Sequence, residues 1–163
     1  MRNKKITVDL TEKGIDTLIK ELDNYEKWLD QKCAELTERL AAIGVTYAQI
    51  GFAEAMYTGE KDAIVTVEQR GEDTWVVKAN GESVLFIEFG SGITFGYGHP
   101  EPNIYGPGSY EPSKGHWDDP DGWWLPKEKG GEHTFGNPPN MPMYNSVKQL
   151  EQELQQIVEV VFR

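Results

Sequence analysis

The residues best equipped for chemistry cluster in the stretch KGHWDDPDGWW, where His116, Asp118, Asp119 and Asp121 stand close together. An imidazole beside carboxylates is a donor set that divalent cations use, and a bound cation would activate water for hydrolysis. A metal-dependent hydrolase built on His116, Asp118 and Asp121 is one reading of this segment. The spacing follows no established Ca²⁺ loop, however. DDPDG is also the composition of a solvated turn, with Asp119 before Pro120 and Gly122 releasing the chain. The other histidines, His99 and His133, lie well away in sequence, and His99 before Pro100 reads as a loop residue.

The second candidate is Glu88, the single carboxylate in the apolar run VLFIEFGSGI. A carboxyl group in an apolar setting has a raised pKa, which is how general acids are made. Catalysis of that kind needs a second group, and no paired acid stands at a telling spacing. The bland alternative is a carboxylate that accepts backbone N–H groups or an Arg where the chain turns, and this is the reading adopted. Gly90-Ser91-Gly92 lacks the G-x-S-x-G spacing of a nucleophile elbow. GSGITFGYG has neither a G-x-G-x-x-G opening onto a helix nor a Lys for a phosphate. The one cysteine, Cys33, sits in a helical pattern and reads as a small buried or half-buried residue. These observations predict no catalytic residues, no metal site and no cofactor.

The elements that must position these residues follow from periodicity. Thr11 is placed to cap a helix, with Glu12 in its first turn. Ile15, Leu18, Ile19, Leu22, Tyr25, Leu29, Cys33, Leu36 and Leu40 then recur at steps of three and four, one stripe of a long amphipathic helix. Asp16–Lys20, Asp23–Lys27 and Glu35–Arg39 are spaced as i, i+4 ion pairs on its outer face, and Trp28 lies at the edge of the stripe. Gly44 is expected to kink or end this helix, with a second segment from about Val45 to Met56. Ala63–Gln69 and Thr74–Ala79 are rich in β-branched residues, and Arg70-Gly71-Glu72-Asp73 between them has hairpin length. Asn80-Gly81 is a strong type I′ turn signal, so Val84–Phe89 is read as the third strand of a meander. A six-residue apolar run does not fix its own period, and a short helix is the alternative there.

All nine prolines lie between Pro100 and Pro142, and eleven of the seventeen glycines fall between Gly90 and Gly136. That composition predicts a long loop, but Trp117, Trp123 and Trp124 within it predict a segment that packs on something, its own domain or a neighbour. Pro142 suits the first position of a closing helix whose stripe is Val147, Leu150, Leu154, Ile157, Val158 and Val161. The expected fold class is α+β in a single domain. Residues 11–56 form a helical segment, 63–89 an antiparallel three-stranded meander, 90–141 a Gly/Pro/Trp-rich loop and 142–161 a C-terminal helix packed on the sheet.

The net charge of −11 on 163 residues argues against nucleic-acid binding by a single copy, since such binding rests on Lys and Arg neutralising phosphates. A ring of copies could still present an acidic lumen along which DNA slides. No apolar run approaches the ~20 residues that span a bilayer, and no signal-peptide pattern follows the basic start MRNKK, so the expected compartment is a cytosol.

Two motifs carry a resemblance. FIEFGSG, Phe86 to Gly92, and GNPPNMPMYNSVKQL, Gly136 to Leu150, resemble the two signatures of the gene-ten-type tail-completion family of long-tailed phages. In the first, Phe86, Glu88, Phe89 and Gly90 match an aromatic-Val/Ile-Glu-aromatic-Gly pattern. In the second, Pro142, Met143 and Tyr144 match the stretch that opens the last helix. The resemblance runs from about Thr11 to Phe162, and the loop between Gly92 and Asn140 departs from it in length and Trp content. It implies a non-enzymatic virion protein of a phage or prophage, found in the host cytoplasm during assembly, that works in head–tail joining or tail completion. Its implied partners are copies of itself in a ring and the head-completion and tail-tube proteins on either side, with Trp117, Trp123 and Trp124 as candidate contacts. A monomeric adaptor that grips a host protein through the Trp-rich loop is a further alternative.

Overall fold

In the computed structural model, residues 5–92 and 119–163 are described. Helix α1 runs unbroken from Glu12 to Glu54. Thr11 caps it as expected: extended in φ and ψ, it accepts a hydrogen bond from Gly14 N at 3.1 Å. Among the described residues, only Glu35–Arg39 of the three expected i, i+4 pairs closes, at 2.9 Å, and Lys32 joins Glu35 from the other side at 2.7 Å.

The expected break at Gly44 does not occur. Gly44 is buried in mid-helix, and a Cβ there would lie 3.1 Å from Leu150 Cδ1 and 3.8 Å from Val77 Cγ2. The missing side chain admits neighbours from two other elements. Their packing offsets the ~1 kcal/mol that a helical glycine costs relative to alanine.

Strands β1 (Ile64–Gln69) and β2 (Trp75–Asn80) pair antiparallel, from Ile64 opposite Asn80 to Gln69 opposite Trp75. Arg70 N donates to Thr74 O at 2.8 Å across the expected turn, and Glu68 forms a cross-strand ion pair with Lys78.

The third strand of the meander is absent: Val84–Phe89 is a helix, α2. The turn that leads into it is held from about twenty residues upstream. Asp62 accepts hydrogen bonds from Glu82 N at 2.7 Å, from Ser83 N at 2.8 Å and from the Ser83 hydroxyl. These bonds fix the cap residue Ser83, whose carbonyl accepts the first helical bond from Ile87 N at 2.9 Å. Asn80-Gly81 remains a turn, with Gly81 at φ +149, but it opens onto this helix and not onto a strand.

Residues 93–118 of the expected loop lie outside the described residues, and the described part that follows carries a small hairpin. Strands β3 (Trp123–Trp124) and β4 (His133–Thr134) pair antiparallel around a 3₁₀ turn at Lys127–Lys129, and Leu125 N donates to Glu132 O at 2.8 Å. Helix α3 (Pro142–Val161) takes its main contacts from α1, where the sequence predicted the sheet. The two run antiparallel: Gly51 faces Pro142, Tyr47 donates to Glu153 at 2.6 Å, and Trp28 meets the Phe162 ring edge-on at 6.0 Å. The core sits where the C-terminal half of α1, the β1–β2 hairpin, α2 and the start of α3 converge. It is built from Ala48, Phe52, Ala55, Val65 and Ile87, with Val77, Val84 and Met143 packed against it. The result is a mixed α and β fold with a long N-terminal helix, an antiparallel hairpin and a C-terminal helix.

Candidate functional site

Glu88 projects from α2 into the start of α3 and is 6% exposed. Its Oε2 accepts from Met143 N at 2.8 Å and its Oε1 from Tyr144 N at 3.0 Å. Its backbone oxygen accepts from Met141 N at 3.2 Å. Pro142, between them, has no N–H to satisfy. The next amide, Asn145 N, makes the first intrahelical bond, to Met141 O at 2.8 Å. One residue thus satisfies every free N–H at the head of α3. The carboxylate also sits at the positive end of that helix, which compensates its burial.

The rest of the second motif locks around this contact. Ser91 and Asn137 form an antiparallel bridge, with both backbone bonds at 2.9 Å. The Asn137 side chain accepts from Thr58 N at 3.1 Å and from the Thr58 hydroxyl at 3.2 Å, and its amide donates to Ser91 Oγ at 3.3 Å. Asn140 accepts from Met56 N at 2.8 Å and donates to Met56 O at 3.0 Å, which fastens the chain leaving α1. Asn140 N donates to Ile87 O at 2.9 Å. Gly90 (φ +74) and Gly136 (φ +94) permit the close approach: a Cβ on Gly90 would lie 2.7 Å from Pro139 N, and one on Gly136 would overlap the Ser91 carbonyl. Met141 takes φ +54 just before α3, a left-handed conformation held by these surrounding bonds.

Seven motif residues thereby acquire positions. Phe86 and Phe89 are half-buried on α2, Gly90 forms the corner, and Glu88 caps α3. Pro142 is buried at the first helical position, Met143 packs on the core, and Lys148 lies over the Tyr144 ring at 5.4 Å. Sequence reasoning missed Asp62, Ser91, Asn137 and Asn140. The two asparagines lie inside a quoted motif, but nothing local marks them as bonding residues 79 and 84 positions away. Asp62 ends the polar run Thr58-Gly59-Glu60-Lys61-Asp62, where nothing local marks it as the partner of Glu82 and Ser83. Bonds from the Ser83 side chain first, then from the Ser83 and Glu82 amides, hold its carboxyl at a pKa of about 2.

The other candidates separate. Trp123 is half-buried and Trp124 is 71% exposed. The Trp124 ring packs edge-on against His133 at 5.1 Å, and His133 against Phe135 at 5.0 Å. Asp121 is exposed, its N–H held by Asp119 Oδ1 at 2.9 Å in the expected turn. Trp117, His116 and Asp118 lie outside the described residues. Among the described residues no group of three or more His, Cys, Asp or Glu is placed to hold a metal ion, and no helix is long and apolar enough to cross a membrane. The end of α3 carries a depression of about 330 Å³, lined by Val158, Phe162 and Arg163 among others. It lies far along the helix from Glu88.

Comparison with protein-family models, with curated proteins and with solved structures finds no match.

Proposed function

We propose that this chain is a structural virion protein of a long-tailed phage or prophage, acting in head–tail joining or tail completion as a subunit of a ring. It is not an enzyme on this reading; it passes through the host cytoplasm and ends in the particle. Its neighbours are copies of itself and the head-completion and tail-tube proteins on either side.

One observation carries the proposal. The two motifs behind the resemblance, Phe86–Gly92 and Gly136–Leu150, meet in space, and Glu88 of one caps the helix opened by Pro142 of the other. The residues that make the resemblance are therefore those that fix the direction of the C-terminal helix relative to α2 and the hairpin. That role suits an assembly subunit, whose parts must be presented at fixed angles to several neighbours. Exposed Trp124 and Phe135, 71% and 48% accessible, supply apolar surface of the kind that ring contacts bury.

The test is genetic and visual. The coding sequence is deleted from the phage or prophage that carries it, and the lysate is viewed by electron microscopy. DNA-filled heads and separate tails are expected, with joined particles restored when the chain is supplied in trans. Normal tailed, infectious particles without the protein would refute the proposal.

A further inference from the structure

The N-terminal half of α1 carries an apolar seam that no described residue covers. Ile15, Ile19, Leu22 and Tyr25 are 48%, 51%, 51% and 46% exposed. The seam continues the one that seats α3: Ile15, Leu22, Leu29, Leu36 and Ile43 recur at seven-residue spacing along α1. α3 ends at Val161, and the Phe162 ring just beyond it meets Trp28. Past Trp28 the seam runs on without its helix. These neighbouring half-exposed side chains make one contiguous apolar patch, the kind of surface that marks an interaction site.

Charge decides what kind of helix. Glu12, Asp16, Asp23 and Asp30 line one side of the seam at helical spacing, and Glu26 lies between them and Leu22. All five are exposed, and among the described residues none pairs with a cation. The opposite side of the first turn is already occupied, because a Cβ on Gly14 would overlap the Asp9 carbonyl.

A second copy fits this seam poorly. Two antiparallel helices bring like flanks together, which here sets acid on acid. A parallel pair would run the partner's helix into α3, which holds the seam from Trp28 onward. We infer that the uncovered seam of α1 docks an amphipathic helix of a different protein, one whose flank carries Lys or Arg. This goes beyond the virion reading and stands without it.

The probe is a synthetic helical peptide with Leu along its seam and Lys on one flank, titrated calorimetrically into the full chain at low salt. Two control peptides carry Glu in place of Lys, or the same residues in shuffled order. Two exposed-surface variants are compared: Ile19→Ser/Leu22→Ser removes the seam, and Asp16→Asn/Asp23→Asn/Glu26→Gln neutralises the flank. Circular dichroism establishes that both retain the helical fold. The Lys-flanked peptide is expected to bind at least about tenfold tighter than either control, and each variant to weaken it by about tenfold or more, ~1.4 kcal/mol. Equal binding of the shuffled peptide, or indifference to either variant, would overturn the inference. So would a dimer in sedimentation equilibrium that disappears with Ile19→Ser/Leu22→Ser, since it would make a second copy the occupant.

Discussion

Replacing Glu88 with Gln puts the joint to a quantitative test. The wild-type carboxylate accepts two amide bonds, at 2.8 and 3.0 Å, from a site 6% exposed. Glutamine keeps one acceptor oxygen and turns an NH₂ group towards the other amide. One bond survives in weaker, neutral form, and one amide loses its acceptor in a buried place. A charge-assisted bond contributes about 1.5–3 kcal/mol, and an orphaned buried donor costs about 1–3 kcal/mol. The helix-end charge adds a few tenths. The expected loss is about 2–3 kcal/mol, a sizeable part of the roughly 5–15 kcal/mol that holds such a domain folded. For a chain of this length it corresponds to a fall in Tm of roughly 5–10 °C. Urea unfolding followed by circular dichroism measures it directly. Exposed Glu38, on α1, gives the control Glu38→Gln, expected within about 0.5 kcal/mol of wild type. If Glu88→Gln also stayed within about 0.5 kcal/mol of wild type, the claim that Glu88 holds the head of α3 would be wrong.

Further outcomes follow from the same geometry. Gly136→Ala places a Cβ against the Ser91 carbonyl in a left-handed backbone (φ +94), and is expected to cost roughly 2–4 kcal/mol in urea unfolding. Gly51→Ala puts a Cβ 2.7 Å from the Pro142 side chain and 3.1 Å from its Cα, so it destabilises by about 1–3 kcal/mol although alanine is the better helix former. Ile87→Ala empties a fully buried site of the core and is expected to lower stability by about 2–5 kcal/mol. Asp62 gives a pH signature. Its folded pKa of about 2 lies below the ordinary 3.8, so the unfolded chain binds the proton more readily. Its stabilisation is complete above that ordinary value and is lost as pH falls towards 2; Asp62→Asn should flatten the acid limb of the stability curve across that window.

Much of the fold was legible because it is written in local periods. The stripe from Ile15 to Leu40 has a period that only a helix satisfies, Thr11 stands where such a helix needs a cap, and Pro142 marks where the last helix begins. The β-branched runs on either side of Arg70–Asp73 likewise specify their own hairpin. Three features could not be read this way. Val84–Phe89 is a helix whose preceding turn Asp62 holds from 21 residues away, and a six-residue apolar run has too few turns to declare a period. Gly44 and Gly51 look like helix breakers in isolation, yet the unbroken helix uses them to admit α3, and at Gly44 also β2, close against its backbone. The role of Glu88 was the most hidden. Its acceptors are spent on amides 55 and 56 residues away, across the stretch where the chain's composition says least about its path. Periodicity is a property of neighbours in sequence, so residues 11–43 and 142–161 specified their helices unaided, while the continuation of α1 through Gly44 was left to packing. The partners of a helix end are whichever groups the packed chain brings there, so only the tertiary structure decided what Glu88, Asp62, Asn137 and Asn140 hold together.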